Sequence, residues 1–263
     1  MKKILFLGYK NNRTCLIQEL KNHPKVSIVK QISRPINLKD TSEFDIIISF
    51  GYRHIINKRI IKYCKKTIIN LHLSYLPYNK GSHPNVWSFL TNTTSGITIH
   101  TVSEKVDEGD IIFRKKINFN IKKNKKKLTF SNTYNFLFKE IEQLFISKIN
   151  SIIDEDFKFK KQISKGTFHK KESLPAIIKN WNQNIFNTVR KYSKIRDMKK
   201  HSYNKSIKIV NQIQKIRSKN NVNWMNLLKL SLKLNPKKTS SILSKIYEDD
   251  QRISKLISKL KNL

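Results

Sequence analysis

The feature that most restricts the fold of this chain is the apolar run FDIIIS at residues 44–49. A run of this length with almost no polar alternation is typical of a strand that is covered on both faces. Apolar runs at residues 4–7 and 26–32 predict two further strands, and helical patterns at residues 14–22 and 55–64 separate the strands. Strands that alternate with helices form right-handed βαβ units. We therefore predict an α/β fold with a mainly parallel, Rossmann-like sheet.

The next two predicted strands carry polar side chains at or beyond their ends. The run TII at residues 67–69 ends in Asn70 and His72, which point to the same side because they are two residues apart on a strand. The apolar run at residues 96–102 is followed by an acidic turn that contains Asp107. If these strands are neighbours, Asp107 folds back toward His72. We expect an amide, an imidazole and a carboxylate to meet at the carboxyl edge of the sheet, where such folds place active sites.

Four motifs follow one another in this part of the chain: N-x-H at residues 70–72, S-x-L-P-x-x-K-G at 74–81, G-I-T-I-H at 96–100 and D-x-G-D-I at 107–111. Their order resembles the folate-dependent N-formyltransferases, which move a formyl group from 10-formyltetrahydrofolate to an amine. The segment at residues 49–56 resembles the formyltransferases that act on nucleotide-linked amino sugars. The resemblance covers about residues 1–175. It implies an enzyme in which Asn70, His72 and Asp107 are catalytic.

These three side chains suit the chemistry that the resemblance implies. Attack of an amine on a formyl carbon creates a negative oxygen, for which the amide N–H of Asn70 is a suitable donor. His72, with an ordinary pKa near 6.5, can take the amine proton or polarise the carbonyl, and Asp107 can orient its ring and accept a proton, directly or through water. Each motif alone has a simpler interpretation as a polar or solvated turn. The acidic turn lacks the alternating ligands of a calcium loop.

The resemblance also assigns candidate ligand contacts. In that family two loops hold the pterin ring of the folate, largely through backbone groups, and we expect no metal. The corresponding cofactor contacts are Gly51, Tyr52, Ile55, Val106, Asp107 and Asp110. The corresponding contacts to the acceptor amine are Gly8, Ser74, Tyr75 and Lys80. Lys80 stands where many members carry arginine, and a lysine meets a phosphate without bidentate geometry, so the identity of the acceptor stays open.

The last third of the chain reads as a separate helical region. Apolar residues recur at helical spacing in four stretches of it: residues 177–192, 207–216, 224–234 and 242–260. Pro236 predicts a break before the last helix. We predict a formyltransferase domain at residues 1–175 and a basic helical extension at residues 176–263.

Two expectations concern the partners of this extension. It lacks the alternating strands of the small β-barrel that follows the catalytic domain in methionyl-tRNA formyltransferases, which argues against a tRNA acceptor. Its amphipathic helices are expected to form a homodimer contact or to cover the catalytic domain. A lysine-rich helical tail can also bind nucleic acid.

The formal net charge of +36 points to anionic partners. Residues 201–263 contain 14 Lys and Arg against 3 Asp and Glu, so most of the positive charge lies in the first 200 residues. Basicity that is spread in this way, with lysine dominant over arginine, favours an A/T-biased coding composition as its origin. A positive surface still suits anionic substrates, including nucleotide sugars and tRNA.

Cysteine use and hydropathy indicate the compartment. Cys15 and Cys64 show neither a metal-ligand spacing nor a disulfide framework, which fits a reducing environment. The apolar run near Met1 is too short for a signal peptide, and no run approaches the roughly 20 apolar residues of a membrane span. We therefore predict a cytoplasmic protein.

The sequence supports two classes of function. The preferred hypothesis is an enzyme that formylates a nucleotide-linked amino sugar for a surface polysaccharide, with methionyl-tRNA as the alternative acceptor. The second class is a non-catalytic, basic binding protein that is built on the same scaffold.

Overall fold

The computed structural model of the protein describes residues 1–64, 66–121, 123–125 and 127–260. These residues form two compact units, Met1–Ile195 and a second unit that begins at Arg196. The domain boundary predicted between residues 175 and 176 stays a prediction. No helix among the described residues is both long and apolar enough to cross a membrane.

The first unit contains a main sheet of six strands and a second sheet of two strands. Its strands are β1 (Lys2–Gly8), β2 (Val26–Ile32), β3 (Ile46–Phe50), β4 (Thr67–His72), β5 (Lys80–Gly81), β6 (Gly96–Thr101), β7 (Ile111–Lys116) and β8 (Phe168–His169). The main sheet has the order β2-β1-β3-β4-β6-β7, and β5 pairs separately with β8. Neighbouring strands from β2 to β4 are parallel, whereas β6 and β7 are antiparallel additions. The predicted α/β fold with a mainly parallel sheet is confirmed.

The helices lie between the strands and after them. They are α1 (Leu16–Asn22), α2 (Leu38–Thr41), α3 (Lys58–Tyr63), α4 (Pro84–Leu90), α5 (Phe130–Ser147), α6 (Ile149–Ile153), α7 (Ile185–Leu234) and α8 (Pro236–Leu260). Helix α5 begins with a capping box, in which Thr129 and Asn132 each accept the backbone N–H of the other. Helix α7 starts in the first unit and continues into the second.

The core lies on both faces of the sheet. All five residues of β3 are buried, because two apolar clusters cover the strand from opposite sides. One cluster contains Ile48 and the inward residues of α1 and α5, and the other contains Ile47 and residues of α3. Full burial of such a side chain stabilises the fold by roughly 1.5–3 kcal/mol. The run that predicted a doubly covered strand therefore occupies the centre of the sheet.

Several sequence-based boundaries are wrong, and side-chain hydrogen bonds explain most of the errors. The apolar alternation at residues 117–121 predicts a further strand. This strand does not form, since the Asn118 side chain accepts the backbone N–H of Asn120 and competes with strand pairing. Helix α3 begins at Lys58, three residues late, because the Asn57 side chain caps its first turn. The lysine-rich run at residues 122–127 predicts a solvated charged loop, and part of this run lies outside the described residues.

The helical region also differs in detail from the prediction. Residues 177–184 form turns, since the Gln183 side chain accepts the backbone N–H groups of Lys179 and Asn180. From Ile185 to Leu234 the helix is continuous, where the sequence predicted separate stretches. The break predicted at Pro236 is confirmed, and Asn235 caps the helix that follows it.

Candidate active site

Asn70 lies opposite His100 in the antiparallel pair of β4 and β6. The amide nitrogen of Asn70 is 3.1 Å from Nε2 of His100, whose Nδ1 is 2.8 Å from the carbonyl oxygen of Thr101. A carbonyl only accepts, so Nδ1 of His100 carries the hydrogen and Nε2 of the neutral ring is an acceptor. The amide of Asn70 therefore donates to His100, which fixes the direction in which the amide points.

Asp107 approaches this pair from the acidic turn. Its backbone has a positive φ of 54°, a conformation that is uncommon outside glycine. One carboxylate oxygen, Oδ2, accepts the backbone N–H of Gly81 at 2.8 Å. The other, Oδ1, is 3.4 Å from the amide nitrogen of Asn70 and 3.5 Å from Nε2 of His100. The carboxylate thus joins β4, β5 and β6 at one point.

His72 completes the group from the last position of β4. Its Nε2 is 3.2 Å from the carbonyl oxygen of Asn79 and 3.6 Å from Oδ2 of Asp107. Both neighbours are acceptors, so Nε2 carries the hydrogen and Nδ1 is the basic atom of the neutral ring. The structure therefore brings together the three side chains that the sequence singled out.

Burial and charge act on the two titratable groups in different ways. His72 is only 8% exposed, and this burial lowers the pKa of its ring, although the carboxylate of Asp107 acts in the opposite direction. Burial by itself raises the pKa of Asp107, but the neighbouring rings of His72 and His100 and the N–H of Gly81 lower it well below its usual range. At neutral pH the pair is a neutral imidazole beside a carboxylate.

Three further residues support the site and were not assigned a role from the sequence. The side-chain amide of Gln162 donates to the backbone carbonyls of Asp107 and Gly109, both at 2.8 Å, and holds the acidic turn from outside. Asn79 is fully buried and presents its carbonyl to His72. His100 is the last residue of the G-I-T-I-H motif at residues 96–100, but its contact with Asn70 depends on the register between β4 and β6.

The two loops predicted to hold the folate lie together. Ile56 and Tyr52 of one loop and Val102, at the start of the other, belong to one apolar cluster. An ion pair between Lys58 and Glu104, at 3.6 Å, links the start of α3, directly after the first loop, to the second loop at the surface. The Tyr52 hydroxyl donates a hydrogen bond to the carbonyl of Arg34 and accepts one from the backbone N–H of Ile36, so its side chain stabilises the loop.

The remaining predicted cofactor positions differ in exposure. Ile55 is 85% exposed and Val106 is 43% exposed. The backbone N–H of Asp110 donates to the Thr101 hydroxyl at 2.8 Å. A Cβ at Gly109 would lie only 1.7 Å from the Thr101 carbonyl oxygen, so the turn needs glycine here. The backbone of the acidic turn is therefore held closely against β6.

Gly8 and Gly51 meet at the carboxyl ends of β1 and β3. Gly8 has a φ of 113°, and a Cβ there would lie 2.1 Å from the Phe50 carbonyl oxygen. Both glycines line a cavity of about 260 Å³ together with Lys10 and Arg53. The predicted acceptor residue Gly8 and the predicted cofactor residue Gly51 thus share one basic cavity.

The other predicted acceptor contacts have protein partners. Lys80 is 3% exposed, and its ammonium lies 3.0 Å from the Glu108 carboxylate, which lowers the pKa of Glu108. Tyr75 packs against the Arg114 guanidinium, 4.4 Å from the ring centroid, on the edge strand β7. The hydroxyl of Ser74 is buried without a hydrogen-bond partner among the described residues. These contacts were not foreseen, and the role of the three residues toward an acceptor stays a prediction.

A second cavity, of about 310 Å³, opens beside α4. Its lining includes Arg13, His83, Tyr134 and Trp181. The rings of His83 and Trp181 are 5.4 Å apart and tilted by 31°. Among the described residues, no group of three or more His, Cys, Asp or Glu side chains is arranged to hold a metal.

The sequence model of the family described as formyl transferase matches residues 35–136. ArnA, the bifunctional polymyxin resistance protein of Wigglesworthia glossinidia brevipalpis, is 34% identical over 159 residues, which are 57% of this chain and 23% of ArnA. The methionyl-tRNA formyltransferase of Leptospira interrogans serovar copenhageni is 35% identical over 94 residues, 35% of this chain and 29% of that enzyme. The chain thus spans about a quarter of the length of these curated relatives.

One solved structure is matched over nearly its whole length. The formyltransferase PseJ of Anoxybacillus kamchatkensis is 32% identical, with a TM-score of 0.63, and the match covers 71% of this chain and 97% of PseJ. PseJ was crystallised in complex with UDP-4,6-dideoxy-4-formamido-L-AltNAc and tetrahydrofolate. Together with the family match, this similarity shows that the chain belongs to the formyl transferase family.

Proposed function

We propose that this protein transfers a formyl group from 10-formyltetrahydrofolate to the amine of a nucleotide-linked amino sugar in the cytoplasm, for a surface polysaccharide. The observation that carries the proposal is the convergence of Asn70, His72 and Asp107 at the end of β4. The similarity to PseJ, whose structure contains a UDP-linked formamido sugar and tetrahydrofolate, supports both substrates.

The geometry gives each member of the group a distinct task. Nδ1 of His72 is the basic atom that takes the proton of the attacking amine, because Nε2–H already faces Asn79 and Asp107. The imidazolium then returns this proton to the donor nitrogen of tetrahydrofolate as the bond between that nitrogen and the formyl carbon breaks. Asp107 stabilises the imidazolium that forms, as carboxylates do in comparable triads. The side-chain amide of Asn70 is only 3.4 Å from Asp107, a long contact. During the reaction this amide N–H donates instead to the formyl oxygen, which becomes negative.

The folate donor supplies the formyl carbon, and the exposed apolar side chains of Ile55 and Val106 fit its flat pterin ring. Backbone groups of the two loops, at Gly51, Tyr52 and Asp110, complete the proposed donor site. For the acceptor, Lys10 and Arg53 line the cavity beside Gly8, and cationic side chains in a cavity suit the phosphates of a nucleotide.

Methionyl-tRNA is the alternative acceptor. The observation in its favour is the 35% identity to the methionyl-tRNA formyltransferase of Leptospira interrogans. The helical rather than strand-like structure of residues 185–260 favours the sugar, because it differs from the β-barrel expected after a tRNA-specific catalytic domain.

A formyl transfer assay separates the candidates. The purified protein is incubated with 10-formyltetrahydrofolate and either a UDP-linked 4-amino sugar or methionyl-tRNA, and release of tetrahydrofolate is followed. We expect turnover with the sugar and its loss in Asn70→Ala. Turnover with methionyl-tRNA alone would contradict the sugar proposal, and no turnover with a broad set of amines, in a protein that is folded, would favour the non-catalytic binding protein.

A further inference from the structure

The second unit exposes apolar side chains along its helices. On α7, Ile209, Ile213 and Ile216 are between 48% and 63% exposed. On α8, Ile242, Ile246 and Ile253 are 52–53% exposed. Large aliphatic side chains that are about half exposed over two successive helices form an apolar surface whose contact with water is unfavourable.

Basic residues follow the same helices in a separate row. On α8, Lys238, Lys245 and Arg252 recur every seven residues, so they share one side of the helix. At about 100° per residue this basic row lies roughly 80° around the helix from the apolar row. The apolar face thus has a border of cations along one side.

Helix α7 repeats this arrangement. Lys208, Lys215 and Lys219 share one side of the helix, and they lie roughly 100° from the row formed by Ile209, Ile213 and Ile216. The border lies on the same side of the apolar face as in α8. Long lysine side chains at such a border can bury their stems and keep their ammonium groups in a polar layer.

Charge decides between the partners that could cover this face. Residues 196–263 contain 17 Lys and Arg against 4 Asp and Glu, a formal net charge of +13. Two copies of such a surface repel each other, and an anionic partner is attracted. A nucleic acid offers phosphates, which bind cations, and bases, which stack on aromatic rings. It offers no apolar surface against which a row of isoleucines could pack.

We propose that the second unit docks α7 and α8 on an anionic lipid surface, with the isoleucine rows among the acyl chains and the lysine rows at the headgroups. Helices with a basic polar face and a bulky apolar face bind membranes in this way. Three acidic residues of α8, Glu248, Asp249 and Asp250, oppose binding, and Asp249 is partly compensated by Arg252 at 3.5 Å. The proposal is independent of the formyl transfer reaction.

The test is flotation of the full chain with vesicles of phosphatidylcholine, alone or mixed with phosphatidylglycerol. We expect binding to the mixed vesicles only, and a decrease with added salt. The triple variant K238Q/K245Q/R252Q should bind roughly 100-fold more weakly, since each cation near an anionic membrane contributes about fivefold. The variant I242S/I246S/I253S should also lose binding.

A matched control removes the same charge elsewhere. The variant K116Q/K139Q/K158Q, with three exposed lysines of the first unit, should bind within threefold of the wild type. Asp249→Asn with Asp250→Asn should bind more tightly. Circular dichroism confirms that each variant keeps its helices.

Three results would overturn the proposal. The first is that K238Q/K245Q/R252Q and K116Q/K139Q/K158Q weaken vesicle binding equally, which would show that binding depends only on the overall charge of the protein. The second is full binding by the isoleucine variant. The third is absence of binding to the mixed vesicles by the folded wild type. Concentration-dependent dimers or tight binding of tRNA would then assign the surface to a second copy or to nucleic acid.

Discussion

The candidate active site buries polar side chains, whereas the helices of the second unit expose apolar side chains. At the end of β4, charged and polar side chains are buried and are paired with one another, as in the contacts of Asp107 with Gly81 and His72. Along α7 and α8, isoleucines remain exposed and lysines lie beside them. Buried polar groups require fixed partners, so the first region is rigid by necessity, whereas the second is completed only by an external surface.

The largest expected effect comes from breaking the polar group of the first region. His72→Ala should lower kcat/KM for formyl transfer by about 100- to 10,000-fold, because the basic nitrogen is lost. Asn70→Ala should lower it by about 100- to 1000-fold, because a donor to the developing negative oxygen is lost. Steady-state kinetics with the sugar acceptor measure both. A loss below fivefold in either variant, with the fold intact, would remove that residue from the mechanism.

Stability provides the next contrast. Ile141 on α5 is fully buried, whereas Ile213 on α7 is 48% exposed. Ile141→Ala should lower the free energy of unfolding by about 2–5 kcal/mol, and Ile213→Ala should change it by no more than about 0.5 kcal/mol. Urea denaturation measures both values. Equal losses would show that Ile213 is packed within the protein and would contradict the exposed face.

A smaller effect is expected for the residue that holds the acidic turn. Gln162→Ala removes two hydrogen bonds to the carbonyls of Asp107 and Gly109, each worth about 1 kcal/mol. We expect kcat/KM to fall roughly tenfold through displacement of Asp107. Gln162→Glu should not rescue it, because a carboxylate cannot donate to a carbonyl. The control is Gln143→Ala, an exposed position on α5, and equal kinetics for both alanine variants would exclude a positioning role.

The smallest effect is a shift in pH dependence. Burial lowers the pKa of His72, so the neutral base persists below pH 6.5 and the acid limb of kcat/KM should lie below that value. The carboxylate of Asp107 raises the pKa of His72, so Asp107→Asn should move this limb to still lower pH while lowering the rate. A limb that moves to higher pH in this variant would show that another group titrates.

The same contrast explains what the sequence could and could not predict. Strand β3 was predictable because its burial on both faces requires an unbroken apolar run. Asn70, His72 and Asp107 were brought together correctly, since β4 and β6 are neighbours and the acidic turn that follows β6 folds back toward β4. Their catalytic roles stay predictions until the kinetics above are measured.

Other contacts depend on register and on distant residues. The pairing of Asn70 with His100 follows from the antiparallel register of β4 and β6, which the motifs do not specify. Gln162 is 55 residues from Asp107 and carries no local signal. Lys80 was predicted as an acceptor contact, a role that stays a prediction, and its ammonium lies against Glu108, a partner that composition and spacing do not indicate.

Folate binding at the end of β4 is tested by calorimetric titration of 5-formyltetrahydrofolate, an unreactive analogue of the proposed donor, into the wild type and Asp107→Ala. We expect saturable binding to the wild type and clearly weaker binding to the variant, since Asp107 holds the acidic turn against β5 and β6. Absence of binding to the folded wild-type protein would show that the protein does not use a folate donor at this site.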